Sequence, residues 1–227
     1  MTTPPIRLVC CDMAGTTVSD GGVVEGAFLD ALEACGVPSS DPRREEMFAY
    51  VRETMGTSKI TVFRALFPEG SRAEEANAAF ESAYEERVRR GEVTEMPGAA
   101  ETIGRLRAEG VRVALLTGFS AHTRDRLIEA LGWQEIADLL LCPEEAGRGR
   151  PFPDMVLRAV LDLGLAEVAE VAVVGDTAAD IVSGRRAGAS RLVGVRSGAD
   201  PEARLREAGA TDVVDSVVQL PELFGLA

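Results

Sequence analysis

The sequence predicts an α/β protein, a doubly wound parallel-sheet core interrupted by an all-helical insertion. Three observations predict it. An apolar run over 6–11 leads into Asp12-Met13-Ala14-Gly15-Thr16-Thr17, as a buried strand leads into a polar turn. From about residue 96 onward, strand-length apolar runs alternate with helix-length amphipathic ones, the pattern of βαβ units. Between the two, residues 20–95 have helical spacing and no convincing strand.

The elements follow in order. Residues 18–22 read as a polar, glycine-bearing turn. Phe28, Leu29 and Leu32 give 25–35 helical spacing, and Gly36-Val37-Pro38 stops it. Asp41-Pro42 offers a cap and a first position for a helix to about Thr54. Met55-Gly56-Thr57 breaks that helix, and Ser58 can cap another over 59–66, ending before Pro68. Ser71 caps a fourth, which reaches about Arg90 and stops at Gly91. Met96-Pro97-Gly98 reads as a hinge. A helix over 99–108 and a strand over 111–116 follow, the strand closed by Thr117-Gly118. Then come a Ser120-capped helix to Leu131, a strand over 139–142, a glycine-rich loop over 146–153 and a helix over 154–163. The strand 171–174 ends in Gly175-Asp176, a helix runs to about Ala187, and 191–195, 201–208 and 212–214 read as strand, helix and strand. The expected domains are a core over 1–19 and 97–227 and a helical domain over 20–96.

Composition narrows the function. With 46% hydrophobic and 27% charged residues the chain is an ordinary globular one. A net charge of −13, spread along the chain, argues against a nucleic-acid partner, which needs a basic face. No apolar run approaches the ~20 residues that span a bilayer, and the opening MTTPPIRLVCCD lacks a signal pattern. A cytoplasmic protein without a membrane partner is expected. Cys10, Cys11, Cys35 and Cys142 have no paired zinc spacing and read as buried thiols, with Cys10 and Cys11 on opposite faces of their strand. Lys59 is the only lysine among 24 basic residues. Arginine replaces lysine on most surfaces, but not where a free amine must react.

Predicted strand ends carry Asp12, Thr117 and Asp176, and the loop with Arg148 and Arg150 follows another. In a parallel sheet these ends share one edge, where open α/β sheets build their sites. Asp12 and Asp176 could hold a hard cation through oxygen ligands, and Asp180, one helical turn on, can face back toward them. Thr117 and the amides of Gly118 and Phe119, near a helix start, suit an anionic oxygen, and Arg150 adds a permanent positive charge. Together these groups form a phosphoryl site with Asp12 as nucleophile.

Asp12-Met13-Ala14-Gly15-Thr16-Thr17, Leu115-Leu116-Thr117-Gly118, Gly149-Arg150-Pro151-Phe152-Pro153-Asp154 and Gly175-Asp176-Thr177-Ala178-Ala179-Asp180 resemble, in order, the four motifs of haloacid dehalogenase-superfamily hydrolases. The resemblance spans nearly the whole chain and implies a Rossmann-like core with a helical cap. It implies an aspartyl-phosphate on Asp12, and Mg²⁺ held by Asp12, the Ala14 main-chain carbonyl and Asp176, with Asp180 and Thr177 behind them. It places Ala14, Gly15, Thr16, Met55, Gly56, Gly118 and Phe119 around the substrate, and Thr117 and Arg150 among the catalytic groups.

Two departures from the superfamily pattern sharpen this. Most of its phosphatases carry Asp two residues after the nucleophile as the leaving group's proton donor; here that residue is Ala14. Losing a general acid costs typically ~10²–10⁴-fold. The third motif usually offers lysine; here it offers Arg150. Both features resemble phosphonoacetaldehyde hydrolase (phosphonatase) and its close relatives, which carry D-x-A-G-T. In that group a cap lysine in an M-G-x-x-K segment forms a Schiff base with the substrate aldehyde, and Met55-Gly56-Thr57-Ser58-Lys59 places the sole lysine there. The attacking amine must be neutral, whereas free lysine has a pKa of ~10.4; a helix N-terminus disfavours a cation. An imine provides an electron sink for a carbon leaving group, which needs no acid at position 14. The group's histidine three residues after the lysine is Val62 here, its tyrosine after the Thr-Gly is Phe119, and the sole histidine, His122, follows Ser120.

The expected reaction is therefore Mg²⁺-dependent cleavage of the C–P bond of phosphonoacetaldehyde or a related phosphonate. A phosphatase acting on a small phosphate ester without Schiff-base chemistry is the alternative. A haloacid dehalogenase would not need Gly175-Asp176-Thr177 with Asp180, and a phosphate-binding sensor would not need nucleophile, metal ligand and arginine together. The stripe Phe28, Leu29 and Leu32 could form a homodimer face through the cap or the cap's own core.

Overall fold

A computed structural model describes residues 4–19 and 21–226. The chain opens with β1 (Leu8–Asp12) and a two-residue strand β2 (Val18–Ser19). Four helices follow, α1 (Val23–Ala34), α2 (Arg44–Glu53), α3 (Lys59–Leu66) and α4 (Arg72–Arg89), and then a second two-residue strand, β3 (Thr94–Glu95). The alternating part comprises α5 (Ala99–Ala108), β4 (Arg112–Leu116), α6 (Ala121–Leu131), β5 (Leu139–Leu141), α7 (Pro143–Ala146) and α8 (Asp154–Asp162). It ends with β6 (Val171–Gly175), α9 (Ala178–Ala187), β7 (Arg191–Val195), α10 (Glu202–Ala208), β8 (Asp212–Val214) and α11 (Leu220–Leu223).

Six strands form one parallel sheet in the order β5-β4-β1-β6-β7-β8. The chain winds outward from β1 in one direction and then, from β6, in the other. The reversal falls between β1 and β6, and the crevice at that switch point is where such sheets bind ligands. Asp12 ends β1 and Asp176 follows β6, so the topology delivers both carboxylates to that crevice.

Alternation along β1 divides the core. Val9 and Cys11 pack into the layer shared with α1, α4, α5 and α6. Leu8 and Cys10 pack into the layer shared with α8, α9 and α10. The two cysteines face opposite ways, as a period of two requires, and burial pushes the Cys10 thiol up to about 12.

The helical insertion departs from the sequence reading in three places. Residues 20–95 do contain a strand: Thr94–Glu95 pairs antiparallel with Val18–Ser19 where the chain enters and leaves the helices. Two-residue strands carry no periodicity, and this pair exists because tertiary structure brings the two crossings together. Helix α2 begins at Arg44, after the expected Asp41-Pro42 start, because Asp41 Oδ1 accepts the Arg43 amide at 2.9 Å and closes a turn instead. Ser58 and Ser71 occupy N-cap positions without a side-chain cap bond, whereas Ser120 accepts the Thr123 amide as expected. In the core, α7 falls between the strand expected over 139–142 and the loop expected from 146, and α11 lies beyond the last expected strand, over 212–214.

Phe28 and Leu32 are fully buried. Phe28 lies 5.1 Å from Phe63 and 4.7 Å from Phe80, centroid to centroid. This part of the stripe is the helices' own core. Among the described residues no helix is long and apolar enough to cross a membrane.

Candidate active site

The turn after β1 is fixed by its own bonds. Thr17 Oγ1 donates to the Asp12 carbonyl at 2.9 Å, and the Thr17 and Val18 amides donate to the Met13 carbonyl at 2.9 and 2.7 Å. Gly15 has φ +88°, and a Cβ there would stand 2.4 Å from Asp176 Oδ2. Glycine thus serves both the left-handed turn and the close approach of Asp176.

Asp176 is held from two sides. Thr16 Oγ1 donates to its Oδ1 at 3.2 Å and the Ala199 amide to its Oδ2 at 2.8 Å. Asp180 accepts the Thr177 amide at 3.1 Å on Oδ2. Its other oxygen accepts from Arg150, which also donates to Asp12 Oδ1. Asp12, Asp176 and Asp180 are buried, and each offers a carboxylate oxygen within 4.8 Å of the others.

Crowding like charges in a buried site disfavours their ionised forms. Burial pushes the Asp12 carboxyl up to about 6, opposed by the Arg150 guanidinium and assisted by Asp180. Burial, with Asp12 and Asp180 beside it, holds Asp176 well above the usual carboxylate range. Three carboxylates against one guanidinium leave negative charge uncompensated, and an all-oxygen donor set of this kind fits a hard divalent cation.

Across the crevice the helices bring Lys59. Its side chain is 8% exposed, and Nζ lies 5.2 Å from the Phe119 ring centroid and 5.8 Å from that of Phe28. Its amide donates to the Gly118 carbonyl at 3.3 Å, so the first turn of α3 sits on the loop after β4. A cavity of about 350 Å³ joins the two sides, and its lining includes Asp12, Lys59, Thr117, Arg150 and Asp176. Ala14, Gly15, Met55, Gly56, Gly118, Phe119 and Thr177 line it as well. Thr16 and Asp180 lie behind that lining, bonded to Asp176 and Arg150.

Other residues fall elsewhere. Arg148 is turned away, its guanidinium donating to Asp154 at 2.8 and 2.9 Å. His122 pairs with Glu85 at 3.0 Å on the exposed surface, and Val62 is buried in the core. Sequence reasoning missed the loop after β7, where the Ala199 amide holds Asp176 and Ser197 Oγ donates to the Gly15 carbonyl at 2.8 Å. The available signal was its position, at the carboxyl end of a strand beside β6. It also missed Glu25 on the cavity wall, paired with Arg52 at 2.9 and 3.1 Å.

Residues 6–188 match the family model described as haloacid dehalogenase-like hydrolase. The chain belongs to that family. Among curated relatives it is similar to "Phosphonoacetaldehyde hydrolase" of Syntrophobacter fumaroxidans, 29% identical over 98% of this chain and 92% of the relative. It is also 30% identical to the protein of that name from Bordetella pertussis, over 83% of this chain and 72% of the relative. "Probable phosphatase IndB" of Dickeya dadantii is 29% identical over 92% of this chain and 89% of the relative. Among solved structures, the phosphonoacetaldehyde hydrolase-like protein of Oleispira antarctica superposes with a TM-score of 0.83 at 25% identity. That match covers 98% of this chain and 92% of that one.

Proposed function

We propose that the protein cleaves the C–P bond of phosphonoacetaldehyde or a closely related β-carbonyl phosphonate, with Lys59 and Asp12 handling opposite ends of the substrate. The observation that carries the reading is that the chain's sole lysine lines the same cavity as Asp12, while position 14 holds alanine. Relatives named phosphonoacetaldehyde hydrolase support it.

The Lys59 amine, as its neutral form, adds to the carbonyl carbon, and loss of water leaves a protonated imine. An Asp12 carboxylate oxygen then attacks phosphorus as the C–P bond breaks. The bonding pair moves into the iminium, leaving an enamine on Lys59 and an acyl phosphate on Asp12. Water cleaves the acyl phosphate to phosphate and regenerates the carboxylate. The enamine takes a proton on carbon, and water releases acetaldehyde and the free amine. No alkoxide leaves, so no acid is needed at position 14. Arg150 holds Asp12 in place and offsets its charge; its buried Nε, with no partner among the described residues, suits a phosphonyl oxygen. The Thr117 hydroxyl accepts the Phe119 amide at 3.2 Å and keeps its own hydrogen for the same group. Asp12, Asp176 and the Ala14 carbonyl would hold Mg²⁺, which supplies charge neutralisation for the phosphonyl oxygens when bound.

A second reading, hydrolysis of a small phosphate ester on Asp12 alone, is favoured by the relative named as a phosphatase. Lys59→Ala separates the two. Carbonyl chemistry predicts loss of acetaldehyde and phosphate release from phosphonoacetaldehyde, by ~10³-fold or more. Full turnover by this variant on the physiological substrate would establish the ester reading instead.

A further inference from the structure

Lys59 reaches the cavity from the first turn of α3, and that turn is seated on bare backbone. A Cβ added at Gly118 would stand 2.9 Å from the Thr57 carbonyl oxygen. A Cβ added at Gly149 would stand 2.9 Å from Ser58 Cβ and 3.2 Å from Pro143 Cγ. The two glycines belong to different loops, after β4 and before α8, and both press on residues 57–58. Neither glycine has a positive φ, and Gly149 is the more telling because it faces a side-chain carbon, whereas Gly118 faces backbone. Its backbone would accept alanine, and a side chain there would press hardest on Ser58 of the lysine turn and less closely on Pro143.

We infer that Gly149 is a positioning residue for Lys59, its missing side chain setting how deeply the lysine turn descends over Asp12. The inference rests on the reading of Lys59 as the carbonyl-handling amine.

The contact shows which side would yield. The loop around Gly149 is held firmly. The Arg148 amide donates to Asp154 Oδ2 at 3.0 Å, the Phe152 amide to the Gly149 carbonyl at 3.1 Å, and Arg150 to Asp12 and Asp180. The backbone bond that joins the lysine turn to the core, from the Lys59 amide to the Gly118 carbonyl, is longer, at 3.3 Å. A side chain at 149 therefore lifts the turn and leaves the loop. Restoring an ordinary carbon–carbon separation of ~3.5–4.0 Å moves Ser58, and Lys59 with it, by roughly 0.5–1 Å. Displacement of a reacting group by about 1 Å can cost ~10²-fold in rate. Asp12, Asp176 and Asp180 are bonded within the core and do not move with the turn.

The test uses the full-length protein with Mg²⁺ and phosphonoacetaldehyde. Two quantities are read: turnover, and borohydride-trapped adduct on the Lys59 peptide by mass. Gly149→Ala should lower both by ~10–100-fold, with Mg²⁺ affinity at the wild-type value. Adding Ser58→Gly removes the opposing Cβ. Ser58 makes no side-chain cap bond, so Gly149→Ala/Ser58→Gly should fold normally and recover turnover and trapping. If the wild-type protein is not trapped, the Schiff-base reading fails and takes this role with it. If the wild-type protein is trapped, the positioning role alone is overturned by either of two results. One is trapping of Gly149→Ala at the wild-type rate; the other is a defect that Ser58→Gly does not repair.

Discussion

The core side of the cavity is held by directional bonds, whereas the helical side is held by packing. On the core side, Asp176 and Asp180 accept hydrogen bonds from loop amides and hydroxyls, and Asp12 shares Arg150 with Asp180. On the helical side, Lys59 lies against Phe119 and Phe28, within a shell that continues through Phe63, Phe80 and Tyr84. Hydrogen bonds to charged groups fix the carboxylates of the core wall, while aromatic packing excludes water around the amine. The first wall suits phosphoryl transfer of many kinds. The second wall is where, on the proposed reading, the leaving group is selected.

Removing Asp12 should break the comparison most sharply. Asp12→Asn is expected to lower turnover by ~10⁴-fold or more, since loss of a nucleophile removes the covalent route. The amine on the other wall should still react. Borohydride should then trap Lys59 with the phosphonyl group still attached, where the wild-type protein yields an N-ethyl group. Loss of trapping together with turnover would mean the two walls do not act separately.

Phe80→Ala tests the packed wall by stability. Phe80 is fully buried and its ring meets those of Phe28, Phe63, Tyr84 and Phe119. Truncating a buried phenylalanine costs about 3–5 kcal/mol, measurable by denaturant unfolding. Mg²⁺ affinity, which depends on the other wall, should change little.

A smaller effect follows from pH. Burial disfavours the charge on Asp12 and holds its carboxyl up at about 6 in the folded metal-free protein, above its unfolded value. The folded state then binds more protons than the unfolded one between the two values. Stability from this group is present in acid and lost as pH rises through about 6. A cation restores it by stabilising the ionised form, so Mg²⁺ should raise the melting temperature more at pH 8 than at pH 5. An equal rise at both would contradict the carboxylate cluster as the binding site.

Much of the site was legible because its residues follow strands. Asp12, Thr117 and Asp176 sit at the ends of apolar runs, and a parallel sheet aligns such ends without further information. Lys59 was legible for another reason: it is the sole lysine, beside Met55-Gly56, in a chain that otherwise uses arginine. What escaped depends on contacts distant in sequence. The pairing of Thr94–Glu95 with Val18–Ser19 has no local signature. The Ala199 amide reaches Asp176 as a backbone donor, which no side chain in the sequence marks. Phe28 reads as one position of a helical stripe, and its place beside Lys59 emerges when α1 and α3 pack together.

The most direct test of the account is borohydride reduction of the Mg²⁺-loaded protein during turnover of phosphonoacetaldehyde, followed by peptide mass analysis. The account predicts irreversible inactivation with an N-ethyl group on Lys59. Continued activity with Lys59 unmodified, while phosphate is still released, would contradict it.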